Sequence, residues 1–239
     1  MTYCVAMSVD AGMIFASDSR TNAGVDQIMR FSKMRVFARD GDRVIVSVCS
    51  GNLSITQNAV NTIEQRARAG DNALNLLNAQ SMFDVARLLG DAMREVNQRD
   101  GEYLMQNNID SSANFLIGGQ IRGEPPRLFE VYTEGNFIEA TEDTPFLQIG
   151  EHKYGKPILD RVVTAATSLA EGEKAVLLSM DSTLRSNLSV GMPLDLCVIE
   201  KDACKVSRTR RIEAGDARFR AMSEAWSAAL RDGFAQIGI

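Results

Sequence analysis

The chain has 239 residues, of which 45% are hydrophobic and 24% are charged, the balance expected of a globular protein with a substantial core. A net charge of −5 without a strong basic cluster argues against nucleic-acid binding. No apolar run reaches the length of a membrane helix, and the first residues lack the basic start and cleavage site of a secretory signal, so we expect a cytoplasmic protein.

The first fifty residues predict two β-hairpins, because short apolar runs alternate with turn residues. The second hairpin is apolar on both faces, which predicts a sheet that is covered on both sides. The predicted strands are Tyr3–Val9, Met13–Ser17, Met34–Ala38 and Arg43–Cys49, with a loop containing Asn22 and Gly24 between the two hairpins.

The period of the apolar residues then changes to that of helices. The first predicted helix runs from Leu53 to about Ala69. Ser81, followed three residues later by Asp84, is a capping-box start for the second. Apolar residues recur at helical spacing from Val85 onward, so this helix runs to about Gln106.

The second half of the chain repeats strands, two helices, strands and one helix. Two antiparallel sheets between layers of helices satisfy this order, which predicts an α+β fold in a single domain, residues 1–239. Strict β-α alternation and nucleotide-binding glycine motifs are absent, which argues against a Rossmann fold. The predicted strands are Asn114–Arg122, Arg127–Thr133, Asn136–Ala140, Phe146–Ile149, Pro193–Ile199 and Lys205–Ile212, and the predicted helices are Pro157–Thr167, Lys174 to about Leu188, and one capped by Asp216.

The cysteines and the single histidine restrict the possible chemistry. None of the four cysteines forms a CxxC pair, and the lone His152 gives no zinc ligand set. We expect core thiols in a reducing compartment. With one histidine in the chain, a Ser-His-Asp triad is disfavoured, so a hydrolase built on this sequence needs another base.

Thr2 offers such a base. A small second residue allows an aminopeptidase to remove Met1, and this leaves a hydroxyl and a free α-amine on one residue at the start of a strand. An N-terminal threonine can act as nucleophile and base together. The alternative is that a chain begins Met-Thr without any catalytic reason.

Three further residues have the chemistry that such a nucleophile needs. Lys33 would stabilise the threonine oxyanion by its charge, Asp18 would hold Lys33 in place and keep it protonated, and the backbone N–H of Gly51 could donate to a tetrahedral oxyanion. Each has a structural alternative. Asp18 could cap a turn, Lys33 could be a solvated strand-edge lysine, and Gly51 could serve only the strand-to-helix turn.

At these residues the chain resembles the proteasome β-subunit family, and within it the bacterial branch called Anbu, the ancestral β-subunit homologue. The similar segments recur in order over most of the chain. They are Thr2–Val5, Phe15–Asp26, Phe146–Glu151, Tyr154–Arg161 and Asp181–Gly191.

The resemblance implies an N-terminal nucleophile hydrolase fold, a four-layer αββα sandwich of two antiparallel sheets. It implies Thr2 as nucleophile, Asp18 and Lys33 as its partners and Gly51 as the oxyanion donor, with no metal or organic cofactor. It also implies assembly into ring-like or helical homo-oligomers and a peptide or amide substrate, and it leaves open whether an ATPase partner exists.

The family also uses a second Asp and a Ser near the nucleophile. Asp181 fits the first, and Ser186 fits the second better than the adjacent Ser182. The structural alternative for Asp181 is an i,i+4 pair with Arg185. Where typical subunits have Gly-Ser-Gly, this chain has Gly-Glu-His at residues 150–152, so the usual active-site serine is absent.

Three functions remain open from the sequence. The first is a threonine peptidase that acts through an acyl-Thr2 intermediate. The second is an amidohydrolase of narrow specificity, indicated by the altered loop at Glu151. The third is a catalytically silent oligomeric scaffold, which retention of Met1 would favour.

Overall fold

The computed structural model describes residues 1–23, 27–69 and 73–238. Short strands fill the first fifty residues, and pairs of helices separate the later strands. The strands are β1 Tyr3–Val9, β2 Gly12–Asp18, β3 Arg20–Ala23, β4 Gln27–Arg30, β5 Met34–Arg39, β6 Arg43–Gly51, β7 Ala113–Ile121, β8 Arg127–Val131, β9 Phe137–Glu139, β10 Phe146–Gly150, β11 Leu194–Glu200 and β12 Arg208–Ile212. The helices are α1 Leu53–Ala69, α2 Met82–Gln106, α3 Lys156–Val162, α4 Leu169–Ser186 and α5 Ala217–Gln236.

Two five-stranded antiparallel sheets form the centre of the molecule. The first has the order β10-β1-β2-β11-β12 and the second has the order β5-β6-β7-β8-β9. β3 and β4 pair only with each other, as a separate hairpin. In the first sheet Cys4 lies opposite Ser17 and Leu194 lies opposite Asp18, so the end of β2 is enclosed by strands on both sides.

Three groups of buried apolar residues hold the layers together. One lies between the two sheets and includes Phe15 and Val46. A second packs α1 and α2 against the second sheet, and a third packs α3, α4 and α5 against the first sheet. The layers therefore follow the order α-β-β-α, which confirms the predicted sandwich.

Two helix starts agree with the sequence, and a third lies earlier than predicted. α1 has the predicted bounds, and Ser81 caps α2 by accepting a hydrogen bond from the Asp84 N–H. α4 begins five residues before the predicted Lys174, because Ser168 and Glu171 form a capping box.

Three predicted segments differ from the structure. The helix predicted over Pro157–Thr167 ends at Val162, because the next residue has extended backbone (ψ 130°). The last strand begins at Arg208 rather than Lys205, after a turn in which Asp202 has a positive φ of 63°. The loop predicted around Asn22 is the β3–β4 hairpin, and Gly24 lies outside the described residues.

Among residues 1–23, 27–69 and 73–238, no helix combines the length and the apolar character needed to cross a bilayer.

Candidate active site

A cleft of about 540 Å³ opens at one end of the two sheets. Thr2 precedes β1, Lys33 precedes β5 and Gly51 ends β6, so three chain segments that are distant in sequence supply its wall. The structure thus brings together three of the predicted site residues. The full lining is Met1, Thr2, Thr21, Met29, Lys33, Cys49, Ser50, Gly51, Asn52, Leu53, Ser54, Thr56 and Ile109.

The backbone of Thr2 is fixed by the neighbouring strand end. Its carbonyl accepts a hydrogen bond from the Glu151 N–H at 2.7 Å. Gly150 has a φ of +80°, and a Cβ there would lie 2.0 Å from the Thr2 carbonyl oxygen, so only glycine permits this approach. Thr2 is 8% exposed, whereas Met1 is 63% exposed.

Lys33 and Asp18 form a buried ion pair behind the nucleophile candidate. The Lys33 Nζ lies 2.6 Å from Asp18 Oδ1, and the two side chains are 5% and 0% exposed. Nζ also donates to the Arg20 carbonyl at 2.6 Å. Because a buried charge is costly unless it is paired, this pair holds the ammonium group at one position on the cleft wall.

Asp18 is satisfied by backbone donors as well. Its Oδ1 accepts from the Tyr3 N–H at 3.2 Å, and its Oδ2 accepts from the Gly191 N–H at 3.2 Å. Burial raises the pKa of the Asp18 carboxyl, while Lys33 and these hydrogen bonds act in the opposite direction. The carboxylate therefore links Lys33 to the residue that follows Thr2.

Gly51 occupies a position that requires glycine. Its φ is +97°, and a Cβ would lie 2.2 Å from the carbonyl oxygen of Ser112. The next residue begins the turn into α1, with the Asn52 N–H donating to the same carbonyl at 2.8 Å. The backbone at this corner is held between β7 and α1, and one side of it remains open to the cleft.

Asp181 and Ser186 lie away from this cleft lining. Asp181 Oδ2 accepts from Arg185 Nε at 3.2 Å, which is the i,i+4 pair that the sequence offered as the structural alternative. Asp181 Oδ1 accepts from the Ser223 hydroxyl at 2.7 Å, which joins α4 to α5. Ser186 is the exposed last residue of α4, and Ser182 is partly buried one turn before it.

The structure has relatives of known architecture along its whole length. Anbu from Hyphomicrobium sp. strain MC1 is 50% identical, with a TM-score of 0.92 over 100% of this chain and 99% of that one. Anbu (ancestral beta-subunit) from Yersinia bercovieri is 47% identical, with a TM-score of 0.94 over 100% and 98%. The helical assembly of the Anbu complex from Pseudomonas aeruginosa has the same identity, TM-score and coverage.

The chain belongs to the Anbu family. Its proteasome-like fold is therefore shown by full-length similarity as well as by its own layers. No protein-family model matches the chain, and no curated protein matches it.

In this member of the Anbu family, two groups that sequence reasoning missed complete the surroundings of the ion pair. They are the carbonyl of Arg20 and the N–H of Gly191. A Cβ at Gly191 would lie 2.2 Å from Arg20 Nε, so this glycine leaves room for the Arg20 guanidinium to pack against the segment after α4. The signal available was the segment Asp181–Gly191 of the Anbu resemblance, in which only Asp181 and Ser186 were assigned a role.

Tyr3 anchors the first strand of this Anbu fold from its other side. Its hydroxyl is hydrogen-bonded to the Ser179 hydroxyl at 2.6 Å and accepts from the Gln148 amide. Burial raises the pKa of Tyr3 to about 12. The residue after Thr2 is thereby fixed to α4 and β10, while its N–H contacts Asp18.

Among the described residues, no group of three or more His, Cys, Asp or Glu side chains could hold a metal ion. All four cysteines are free thiols. Cys49 lines the cleft, and the buried Cys4 thiol donates to its carbonyl at 3.4 Å.

Proposed function

We propose that the protein is an N-terminal threonine hydrolase that cleaves amide bonds after Met1 has been removed. One observation carries this proposal: Thr2, Lys33 and Gly51 line the same cleft, and Lys33 is held there by the buried Asp18. The cleft therefore contains the Thr2 hydroxyl, the fixed positive charge of Lys33 and the backbone of Gly51.

The chemistry begins at residue 2. Removal of Met1 converts the amide nitrogen of Thr2 into an amine, whose ordinary pKa of about 7.7–8.0 suits a general base near neutral pH. The amine takes the hydroxyl proton, directly or through a water, and the Thr2 Oγ attacks the substrate carbonyl. The amine leaving group departs with a proton, and water then hydrolyses the acyl-Thr2 ester.

The remaining residues stabilise charge. Lys33 lowers the energy of the developing Thr2 oxyanion, and Asp18 keeps the ammonium in place. The N–H of Gly51 donates to the oxyanion of the tetrahedral intermediate, a contribution typically worth about a hundredfold or more in rate. Asp181 and Ser186 are left out of the proposed set because neither lines the cleft.

We also propose self-assembly into a homo-oligomer, supported by the helical assembly of the Pseudomonas aeruginosa relative. Sedimentation velocity of the purified chain tests this. A monomer at all accessible concentrations would contradict it.

The enzymatic proposal is tested in two stages. Intact mass first measures whether Met1 is lost, and the Met1-free protein is then incubated with a threonine-directed electrophile. We expect one adduct on Thr2 that is absent in Thr2→Ala and slower in Lys33→Ala. The matched control is Thr209→Ala, which removes an exposed threonine from β12 and should label at the wild-type rate.

The outcomes separate the three functions. Retention of Met1, or no adduct on Met1-free protein, contradicts both enzyme functions and supports the scaffold. An adduct together with cleavage of a broad peptide library supports the peptidase. An adduct with cleavage of only a narrow set of amides supports the amidohydrolase.

A further inference from the structure

A second cavity opens from the cleft beside Lys33. It has a volume of about 240 Å³, which is large enough to hold one substrate side chain. It shares four residues with the cleft, and we call it the side pocket. Its lining is Ser32, Lys33, Arg35, Cys49, Leu53, Thr56, Gln57, Val60 and Asn61, of which Lys33, Cys49, Leu53 and Thr56 are shared.

The side pocket has two walls of different origin. Leu53, Gln57 and Asn61 are spaced four residues apart and therefore lie on one face of α1. The opposite wall is the start of β5, with Lys33 and Arg35. Apolar groups near the entrance and amides further along α1 suit a side chain with an apolar stem and a polar end.

The charge of the side pocket is positive. Its lining contains two cations and no Asp or Glu. Lys33 is neutralised by Asp18, whereas Arg35 has no carboxylate partner within residues 1–23, 27–69 and 73–238. Asp195 contacts the rim residue Ser32, accepting from its Oγ at 2.9 Å, and is itself paired with Arg211 at 2.7 Å.

Arg35 is oriented but not saturated. Its Nη1 donates to the carbonyls of Ser32 at 3.3 Å and Met34 at 3.2 Å. A guanidinium has five N–H donors, so the other nitrogens remain for a ligand.

Cys49 lines both the cleft and the side pocket, close to both cations. Burial raises the pKa of Cys49 to about 11, and the charges of Lys33 and Arg35 act against that rise. Both cations therefore influence the position that a substrate side chain would approach.

From these contacts we infer that the side pocket selects substrates with an acidic side chain on the residue whose carbonyl is attacked. This inference rests on the proposed function, because it takes Thr2 as the nucleophile. The attacked carbonyl must lie between Thr2 and Gly51, so the side chain of the residue that carries it enters the cleft next to Lys33, where the side pocket begins. A Glu-like side chain places its methylenes against Leu53 and its carboxylate toward Arg35, with the Gln57 and Asn61 amides as further donors.

The experiment uses four peptide electrophiles on the Met1-free protein. They differ only in the residue next to the reactive carbonyl, which is Glu, Gln, Leu or Lys, and the rate of adduct formation on Thr2 is measured by intact mass. We expect Glu to react about two- to fivefold faster than Gln, the range for one exposed charge pair, and Lys to react slowest. The preference should shrink at high salt, because exposed charges are screened.

Variants of Arg35 test the assigned group. Arg35→Glu should invert the order of the Glu and Lys probes, and Arg35→Gln should remove the Glu preference without creating a Lys preference. The matched control is Arg39→Glu, which makes the same charge change on the same strand at a residue outside the side-pocket lining. It should keep the wild-type order.

Two failures are distinguishable. Thr2-dependent labelling with equal rates for Glu, Gln and Lys, or identical orders in Arg35→Glu and Arg39→Glu, overturns the acidic preference and leaves the hydrolase proposal standing. No labelling by any of the four probes contradicts the hydrolase proposal, and the acidic preference falls with it.

Discussion

Two clusters in this molecule contain the same chemical parts in different settings. One joins Asp18, Lys33 and the neighbouring Thr2, and the other joins Asp181, Arg185 and Ser223. In the first, both members of the ion pair are buried, at 0% and 5% side-chain exposure. In the second, the Arg185 side chain is 57% exposed, and the Ser223 hydroxyl donates to Asp181 and accepts from Arg185.

The difference shows what burial does to an acid, a cation and a hydroxyl. A buried pair fixes its cation, because the cost of separating the charges is high. A pair whose cation is exposed, as in the second cluster, contributes less and leaves that cation mobile. The first cluster lies at a cleft that a ligand can enter. The second joins α4 to α5, and its Ser223 hydroxyl is already hydrogen-bonded to Asp181 and Arg185.

The largest expected effect is on stability when one cation is removed. Lys33→Met leaves Asp18 buried without its partner and should lower the free energy of unfolding by about 3–5 kcal/mol. Arg185→Met should lower it less, by about 1 kcal/mol, because Arg185 is 57% exposed and the buried Asp181 keeps the Ser223 hydroxyl as a donor. Urea unfolding of both variants measures the difference, and equal losses would contradict the contrast between the clusters.

A backbone change at the cleft should follow in size. Gly51→Ala forces a left-handed residue against the Ser112 carbonyl. We expect the free energy of unfolding to fall by about 1–3 kcal/mol. Labelling of Thr2 should be at least about tenfold slower, since losing an oxyanion donor typically slows a reaction by more than that. Gly123→Ala is the control, since its φ is +88° with no atom within 4 Å of the added Cβ. It should cost about 1–2 kcal/mol and leave labelling unchanged. Equal labelling in both variants would remove Gly51 from the proposed site.

The pH dependence of Lys33→Met sharpens the same comparison. Burial raises the pKa of Asp18 in the folded state, so protonation of Asp18 favours folding. This contribution to stability is fully present below about pH 3.9, the ordinary pKa of an Asp. It is lost as the pH rises through the folded-state pKa. Without Lys33, which lowers the pKa of Asp18, that pKa rises further. The stability deficit of Lys33→Met should therefore shrink on acidification from pH 7 to 5, by at most about 1.4 kcal/mol per pH unit.

The control for that measurement is the double variant Asp18→Asn/Lys33→Met. It lacks the titrating carboxyl, so its deficit should not change between the two pH values. It should also recover much of the lost stability without recovering labelling. A deficit in Lys33→Met that is constant or grows on acidification would contradict the role given to Asp18.

The smallest effects belong to Ser223 of the second cluster and to Ser186 at the end of α4. Ser223→Ala removes one hydroxyl that joins α4 to α5 and should cost about 1 kcal/mol, with labelling of Thr2 unchanged. Ser186→Ala should change neither quantity, because the residue is exposed at the end of α4. Slower labelling in Ser186→Ala, measured by intact mass, would return that serine to the site.

Local signals predicted most of the fold. Capping at Ser81 and Asp216 marks real helix starts, and the strand alternation around Val46 marks a real hairpin. The capping box at Ser168 was equally local and was overlooked, which moved the predicted start of α4. The β3–β4 hairpin could not be predicted, because its short strands show no alternating apolar pattern.

The candidate site was predictable only in part. Asp18 and Lys33 were paired from chemistry and family resemblance, and they lie in contact. The hydrogen bond from the Gly191 N–H to Asp18 joins residues that are 173 positions apart in the chain. The spacing of residues in the sequence does not predict such a contact. Asp181 looked equally suitable in sequence, because an Asp followed by Arg at i+4 fits either an active-site acid or a surface pair.

The hydrogen bond from Glu151 to the Thr2 carbonyl has a practical consequence for anyone handling this protein. It fixes the chain at the cleft wall, and because Met1 itself lines the cleft, residues added ahead of Met1 would begin at the cavity where a ligand would sit. A purification handle belongs at the far terminus, where Phe234 in the last turn of α5 and Ile237 just after it face solvent at 81% and 74% exposure.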